Sequence, residues 1–110
     1  MKKANAIEHS SLLILSLLSK EDMYGYQMIS ELEKFSENVF QMKEGTLYPV
    51  LKKLENGGQV TSYTAEFSGR TRKYYHLTPK GLDTLKTESR EWQTYSEGIN
   101  AVLDGVGVFA

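Results

Sequence analysis

Four apolar residues, Leu85, Trp92, Ile99 and Val106, recur every seven positions in the last third of the chain, with Leu82 and Leu103 at matching offset positions. Thr78–Pro79 opens this stretch with a residue pair suited to starting a helix: a hydroxyl that caps a free backbone N–H, then a ring that needs no such partner. A helix from there to about Gly105 is ~40 Å long. A domain of this size has a radius of only ~13 Å. The first half of the helix can pack on the chain's own core, but the far half must project beyond it, and a heptad register asks for a partner helix. Residues 79–110 are therefore expected to form a dimerisation helix and tail. Leu85, Trp92, Ile99, Leu103 and Val106 are the expected homodimer seam.

The remaining 78 residues suit a single small domain. Apolar residues at 40% and charged residues at 25% are ordinary values for a globular protein. The absence of cysteine removes disulfides, zinc fingers, iron–sulfur clusters and a thiol nucleophile. Lys2 and Lys3 ahead of the apolar run Leu12 to Leu18 copy the outline of a signal peptide. Glu8 and His9 interrupt the approach, however, and Lys20, Glu21 and Asp22 follow with no small-residue cleavage site. The run also falls far short of the ~20 residues of a membrane span. The expectation is a cytoplasmic protein with no membrane partner.

The net charge of −1 argues against a polyanion as partner, but its distribution argues the other way. Residues 1–42 carry four lysines against six acids, and residues 81–110 carry two basic residues against five acids. Between them, residues 43–80 hold Lys43, Lys52, Lys53, Arg70, Arg72, Lys73 and Lys80 against only Glu44, Glu55 and Glu66. A basic middle between acidic flanks suggests one local surface for a polyanion.

Glu8 to Ser19 lacks glycine and proline, and its leucines nearly surround a helix, which predicts a buried one. Glu21 to Tyr24 reads as a turn, followed by a helix from Tyr24 to Phe35 whose inner face is Tyr24, Met28, Ile29, Leu32 and Phe35. Val39 to Met42 is a short apolar bridge that could form a small edge strand. A third helix runs from Glu44 to Asn56, stopped by Gly57–Gly58. Leu47, Val50, Leu51 and Leu54 fall on one side of it, and Gly45, Tyr48, Pro49, Lys52, Lys53 and Asn56 on the other. Pro49 cannot bond the carbonyl of Gly45, so a distortion near the first turn is expected. Val60–Phe67 and Arg70–Leu77, separated by Ser68–Gly69, form a hairpin signal. Alternation places Thr71, Lys73, Tyr75 and Leu77 on one face of its second strand and Arg70, Arg72, Tyr74 and His76 on the other.

Little here points to catalysis. His9 and His76 lie on different elements, and no ligand-spaced carboxylate stands near either, so no metal or other cofactor is expected. No G-x-S-x-G elbow is present. Gly57–Gly58 precedes a strand instead of a helix N-terminus, so it is not a phosphate loop. Glu21 and Asp22 sit in a turn, where capping and solvation account for them.

Three helices followed by a hairpin is the order of a winged helix-turn-helix, in which the third helix enters the DNA major groove and the wing meets the phosphate backbone. The fold class is accordingly α+β and mostly α: a winged helix-turn-helix of three helices plus a two-stranded β wing in residues 1–78, then the long C-terminal helix. A groove-entering helix needs an apolar side that holds it and a polar side that reads. The leucine face and the Tyr48–Lys52–Lys53 face supply these. Gly45 removes a side chain where backbone approaches DNA, and Thr46 offers a hydroxyl to a phosphate or base. Arg70, Arg72 and Lys73 place cations beside the wing turn. The candidate DNA contacts are thus Gly45, Thr46, Tyr48, Pro49, Lys52, Lys53, Arg70, Arg72 and Lys73, with a double-stranded operator as partner. A winged helix that binds another protein instead of DNA is the alternative.

Three blocks carry a family resemblance: Tyr24-Gly25-Tyr26-Gln27-Met28-Ile29, Glu44-Gly45-Thr46-Leu47-Tyr48-Pro49-Val50-Leu51-Lys52-Lys53-Leu54-Glu55, and Gly69-Arg70-Thr71-Arg72-Lys73-Tyr74-Tyr75-His76-Leu77-Thr78-Pro79-Lys80-Gly81. In this order and spacing they resemble the PadR family of bacterial transcriptional regulators, over about residues 10–100. The length resembles the short subfamily, which lacks an extra C-terminal helical domain. The resemblance implies a homodimeric and usually repressive regulator. It implies that Thr46, Tyr48, Lys52 and the basic wing touch DNA, and that Tyr74 and Tyr75 are the family's paired tyrosines, with Tyr75 in the core by strand alternation. Some short members with a tryptophan in the middle of this helix bind flat aromatic ligands between the two subunits. Here Trp92, with Ser89, Ser96 and Ile99, is the candidate effector site for a small planar aromatic ligand. The competing reading is that Trp92 simply anchors the dimer seam.

Overall fold

The computed structural model describes residues 6–110. Lys2, Lys3 and the first residues of the 1–78 unit lie outside the described residues. A 3-10 turn, Ala6–His9, leads into helix α1 (Ser10–Lys20), strand β1 (Met23–Tyr24), helix α2 (Gly25–Phe35) and helix α3 (Glu44–Asn56). Strands β2 (Val60–Phe67) and β3 (Arg70–Leu77) and helix α4 (Pro79–Val106) follow. The three strands form an antiparallel sheet in the order β1-β3-β2. The fold is a mostly helical winged helix-turn-helix with a long C-terminal helix.

The leucine-rich α1 forms the middle of the core. Ile14, Leu15, Leu17 and Leu18 are buried and Leu12 and Leu13 half-buried, so apolar contact surrounds most of its circumference. Around it pack Met28 and Leu32 of α2, Met42, the Leu47–Leu51–Leu54 face of α3, Val60, Tyr75 and Leu85. Tyr75 is 4% exposed, in the core position that strand alternation gives it.

The hairpin has the expected limits. Ser68 (φ 51°) and Gly69 (φ 78°) both adopt the left-handed conformation, the pattern of a two-residue turn whose twist matches that of the strands it joins. α3 ends where Gly58 (φ 76°) turns left-handed. Its last carbonyls are satisfied by Gln59 N–H to Leu54 O (2.9 Å) and Gly58 N–H to Glu55 O (3.0 Å). The helix is continuous through Pro49.

Three expectations are corrected. The Glu21 to Tyr24 stretch is not all turn: Met23 and Tyr24 form β1, paired with Tyr75 and Tyr74, so the wing sheet has three strands and not two. β1 takes the free edge of β3, and no strand forms at Val39–Met42, where Met42 is instead held by burial. Phe35, expected on the inner face of α2, is 58% exposed, because the last turn of α2 runs out over the surface, where Lys20 Nζ sits 4.8 Å from the ring centre.

Leu85, expected at a dimer seam, is 9% exposed and belongs to the chain's own core. The beginning of α4 is locked down before it. The Thr78 hydroxyl accepts the Gly81 N–H (3.0 Å) and donates to the Gly58 carbonyl (2.7 Å). Gly81 lies so close to the turn between α3 and β2 that an added Cβ would strike the Gln59 carbonyl and come within 2.7 Å of Leu77 Cδ1 of β3. Beyond Trp92 the helix leaves the domain, with Ile99 and Val106 exposed and Leu103 only half-covered. The resulting radius of gyration, 16.1 Å, exceeds the ~13 Å of a compact chain of this length. The long extent of 56 Å is consistent with a 28-residue helix projecting from one end.

Because the obstacle at Gly81 includes the Gln59 backbone, Gly81→Ala must shift α4 against the turn that precedes β2. It is expected to lower unfolding free energy by about 1–3 kcal/mol. Urea denaturation followed by circular dichroism measures this; an unchanged midpoint would show that the helix start is not held by this contact.

Candidate nucleic-acid interface

α3 buries Leu47, Leu51 and Leu54 and leaves Gly45, Tyr48, Pro49, Lys52 and Lys53 exposed, with Thr46 half-buried. A Cβ added at Gly45 would meet nothing within 4 Å, so no contact among the described residues requires glycine there. Its bare backbone is free for an outside partner.

Tyr48 joins three elements. Its ring covers Gly25, the first residue of α2, so closely that a Cβ there would collide with the phenol oxygen and lie 2.9 Å from the ring Cζ. Burial raises the Tyr48 hydroxyl above its ordinary pKa, with Glu44 and Tyr75 adding to the rise and the positive charge of Lys73 opposing it. The ring is still 45% exposed. A fixed, half-covered phenol beside a lysine is a hydrogen-bonding group held ready at a surface.

The wing cations divide between the two faces of the sheet. Lys73 is on the Tyr48 side, its Nζ 5.5 Å from the centre of the Tyr75 ring. Arg72 is on the other face, its guanidinium 4.3 Å from the centre of the Tyr24 ring. Arg70 is exposed next to the turn. Lys53 is set apart from Lys52, since it lines a cleft with Glu8, His9, Glu88, Glu91, Trp92 and Tyr95. The single polar face expected on α3 is therefore two surfaces.

That cleft, about 670 Å³, lies between the start of α1 and the middle of α4. Trp92 contacts the His9 ring at 4.9 Å between centres and the Tyr95 ring at 5.8 Å. Glu88, Glu91 and Tyr95 precede or follow Trp92 by four, one and three positions and line the cleft. Ser89, Ser96 and Ile99 are not among its lining residues: Ser89 and Ser96, three before and four after, fall on the other flank of the indole.

Sequence reasoning missed a polar cluster on the outer face of the sheet. The Asp22 carboxylate accepts the Tyr63 hydroxyl (2.6 Å) and pairs with His76 Nδ1 (2.8 Å). Tyr63 stacks on Tyr74 at 5.7 Å, and Tyr74 meets Tyr24 edge-on at 5.6 Å. Asp22 is thus a tie between the start of β1 and both wing strands, where turn solvation was expected. The signal was thin: an acidic residue two places before a half-buried tyrosine resembles any turn until β1 is known to pair. Among the described residues no group of three or more His, Cys, Asp or Glu side chains could hold a metal ion. No helix there is long and apolar enough to cross a membrane.

Residues 14–87 match the family described as the transcriptional regulator PadR-like family. The chain belongs to the PadR-like family. It is a transcriptional regulator and not an enzyme. Solved relatives agree in fold across nearly the whole chain. A PadR family transcription regulator from Clostridium difficile is 37% identical with a TM-score of 0.77, over 89% of this chain and 98% of that one. A transcriptional regulator from Clostridium thermocellum is 33% identical with a TM-score of 0.79, over 86% and 93%. The Escherichia coli transcriptional regulator YqjI is 28% identical over 97 residues, 88% of this chain but 45% of its own, so this PadR-like chain spans less than half of that relative.

Burial pushes the Asp22 carboxyl up, but the Tyr63 hydroxyl and His76 together outweigh it and hold the carboxyl below its ordinary value of 3.8. A carboxyl whose pKa is lower folded than unfolded adds stability that is full above the unfolded value and is lost as pH falls through the folded one. In this PadR-like chain Asp22 should therefore stabilise the fold above about pH 5 and stop doing so in strong acid. Asp22→Asn should lower the thermal midpoint near neutrality and converge with the wild type towards pH 2–3. Melts across that range check it, and a midpoint difference independent of pH would contradict the ionic role of Asp22.

Proposed function

We propose that this PadR-like regulator is a sequence-specific DNA-binding repressor that acts as a homodimer. Residues 1–78 are the winged-helix DNA-binding unit and residues 79–110 the dimerisation helix and tail. The observation that carries the reading is Tyr48: the reading helix lays one half-exposed phenol over the start of α2, where the positive charge of Lys73 acts on it. Lys52 and the open backbone of Gly45 lie on the same helix. In this reading Gly45, Thr46, Tyr48, Pro49 and Lys52 enter the major groove, and Arg70, Arg72 and Lys73 meet phosphates on either side of the wing. Trp92, Ile99, Leu103 and Val106 form the seam with a second copy, since this stripe, exposed except at the half-covered Leu103, continues past the domain's own core. Binding to chromosomal DNA places the protein in the cytoplasm. A protein-binding winged helix has no need of cations on both faces of its wing tip.

The regulation we propose is release by a small planar aromatic ligand. The specific observation in its favour is the cleft beside Trp92, whose volume lies within the usual range for small-molecule sites. Trp92 supplies a stacking face at one wall, and Glu88 and Glu91 favour a ring carrying positive charge.

One titration tests both parts. Purified protein is added to a duplex of its own upstream promoter at several salt concentrations, with and without flat aromatic compounds. Affinity should fall steeply with salt, because phosphate contacts release counterions, and the combined Lys52→Ala and Arg72→Ala variant should flatten the slope by about two. Unchanged affinity in that variant would remove the assigned face. An effector should quench the emission of Trp92, the only tryptophan, and weaken DNA binding over the same concentration range. Emission that no flat aromatic compound perturbs would leave Trp92 as an anchor of the seam.

A further inference from the structure

Gly25 has no backbone reason to be glycine. It is the first residue of α2, a regular helix, and its φ is not in the left-handed range. Alanine suits a helix better, because glycine loses more conformational freedom there. What requires glycine is a side chain from another element. Gly25 is buried under Tyr48, and the three heavy atoms from other elements nearest to an added Cβ all belong to that one ring: the oxygen, Cζ, and Cε1 at 3.3 Å.

The geometry points to Gly25 as a positioning residue for DNA recognition, one that acts only through Tyr48. The inference rests on the DNA-binding reading of α3. The obstacle to a Cβ is the far end of a side chain and not backbone, so the chain has an inexpensive response to Gly25→Ala: α2 stays where it is and the Tyr48 ring swings away. The direction of that swing is constrained. Leu47 and Leu51 on either side of Tyr48 in α3 are buried and cannot turn with it. Lys73 and the Tyr75 ring share the inner face of β3, where the Lys73 Nζ lies 5.5 Å from the ring centre, and their charges act on the phenol. A displaced ring must therefore move outward, into the surface where a groove would lie.

The contact also sets where the reading helix sits against the wing. Gly25 directly follows Tyr24, which is paired with Tyr74 of β3 and lies under the guanidinium of Arg72. Two consecutive residues thus receive a side chain from each DNA-facing element: Arg72 of the wing on Tyr24 and Tyr48 of the reading helix on Gly25. The corner at the start of α2 is the shared reference from which both are placed.

A double-mutant cycle tests this with the full-length chain, a labelled promoter duplex and a scrambled duplex of equal length. Gly25→Ala is compared in three backgrounds: Tyr48, Tyr48→Phe and Tyr48→Ala. With Tyr48 present, Gly25→Ala should weaken promoter binding by about tenfold, the size of one lost specific contact. It should bring promoter and scrambled affinities closer together while leaving the thermal midpoint unchanged or higher. The penalty should shrink with Tyr48→Phe, which lacks the oxygen that the new methyl meets, and vanish with Tyr48→Ala. If Gly25→Ala alone does not fold, the Tyr48→Ala background decides the matter, since it removes the whole ring, whereas Tyr48→Phe still leaves Cζ against the new methyl. The same penalty in all three backgrounds, or none with Tyr48 present, overturns the inference. A wild-type chain that binds neither duplex overturns the DNA-binding reading itself, and that result is distinct because it precedes any comparison of variants.

Discussion

The pairing of Met23 and Tyr24 with Tyr75 and Tyr74 is the joint on which the rest of the molecule depends. A two-stranded hairpin is marginal alone in water, and β2 and β3 gain a third strand only from this two-residue segment between α1 and α2. Met23, fully buried, faces the core on one side of the sheet. Tyr24 faces outward on the other, where it meets Tyr74 and carries Arg72. Asp22, one residue earlier, bonds Tyr63 and His76, one partner on each wing strand. Gly25, one residue later, receives Tyr48 from the reading helix. Four consecutive residues therefore tie the helical core, both wing strands and α3 to a common frame.

The second organising constraint is a length mismatch. α4 is docked hard at its start, where Thr78 links its first turn to the Gly58 carbonyl, Gly81 lets the helix lie against the turn before β2, and Leu85 completes the core. Its 28 residues then outrun the domain. The apolar residues of the overhang have no core left to enter. On the proposed reading this arrangement separates two tasks, with the globular part held rigid for DNA and the projecting helix left for a second copy. Charge is separated in the same way. Basic residues concentrate between 43 and 80 and acids before and after, so a chain of net charge −1 can still present a positive surface where it is needed.

What the sequence disclosed was set by short-range rules. The hairpin limits, the end of α3 at Gly57–Gly58 and the Thr78–Pro79 start of α4 each follow from residues within a few positions of one another, and alternation placed Tyr75 inside. What stayed hidden depended on distant partners. β1 is two residues long, too short for any period to register, and exists because β3 has an edge to fill. Asp22 looked like a turn acid because its partners are 41 and 54 positions away. Lys53 shares the polar arc of α3 with Lys52, but it lies at the edge of that arc, and only the return of α4 beside it makes a cleft there. Leu85 fits the heptad as well as Trp92 does, and no periodicity distinguishes a residue that meets its own core from one that meets a partner.

The central claim is that two copies of this chain, joined through the overhanging half of α4, hold two reading helices on one face of a duplex. Hydroxyl-radical footprinting of the upstream promoter, run with sedimentation of the same complex, tests it most directly. The account predicts two protected patches of equal strength, their centres about one helical turn of ~10 base pairs or a whole multiple apart, with two chains per duplex. A single protected patch occupied by one chain would contradict it.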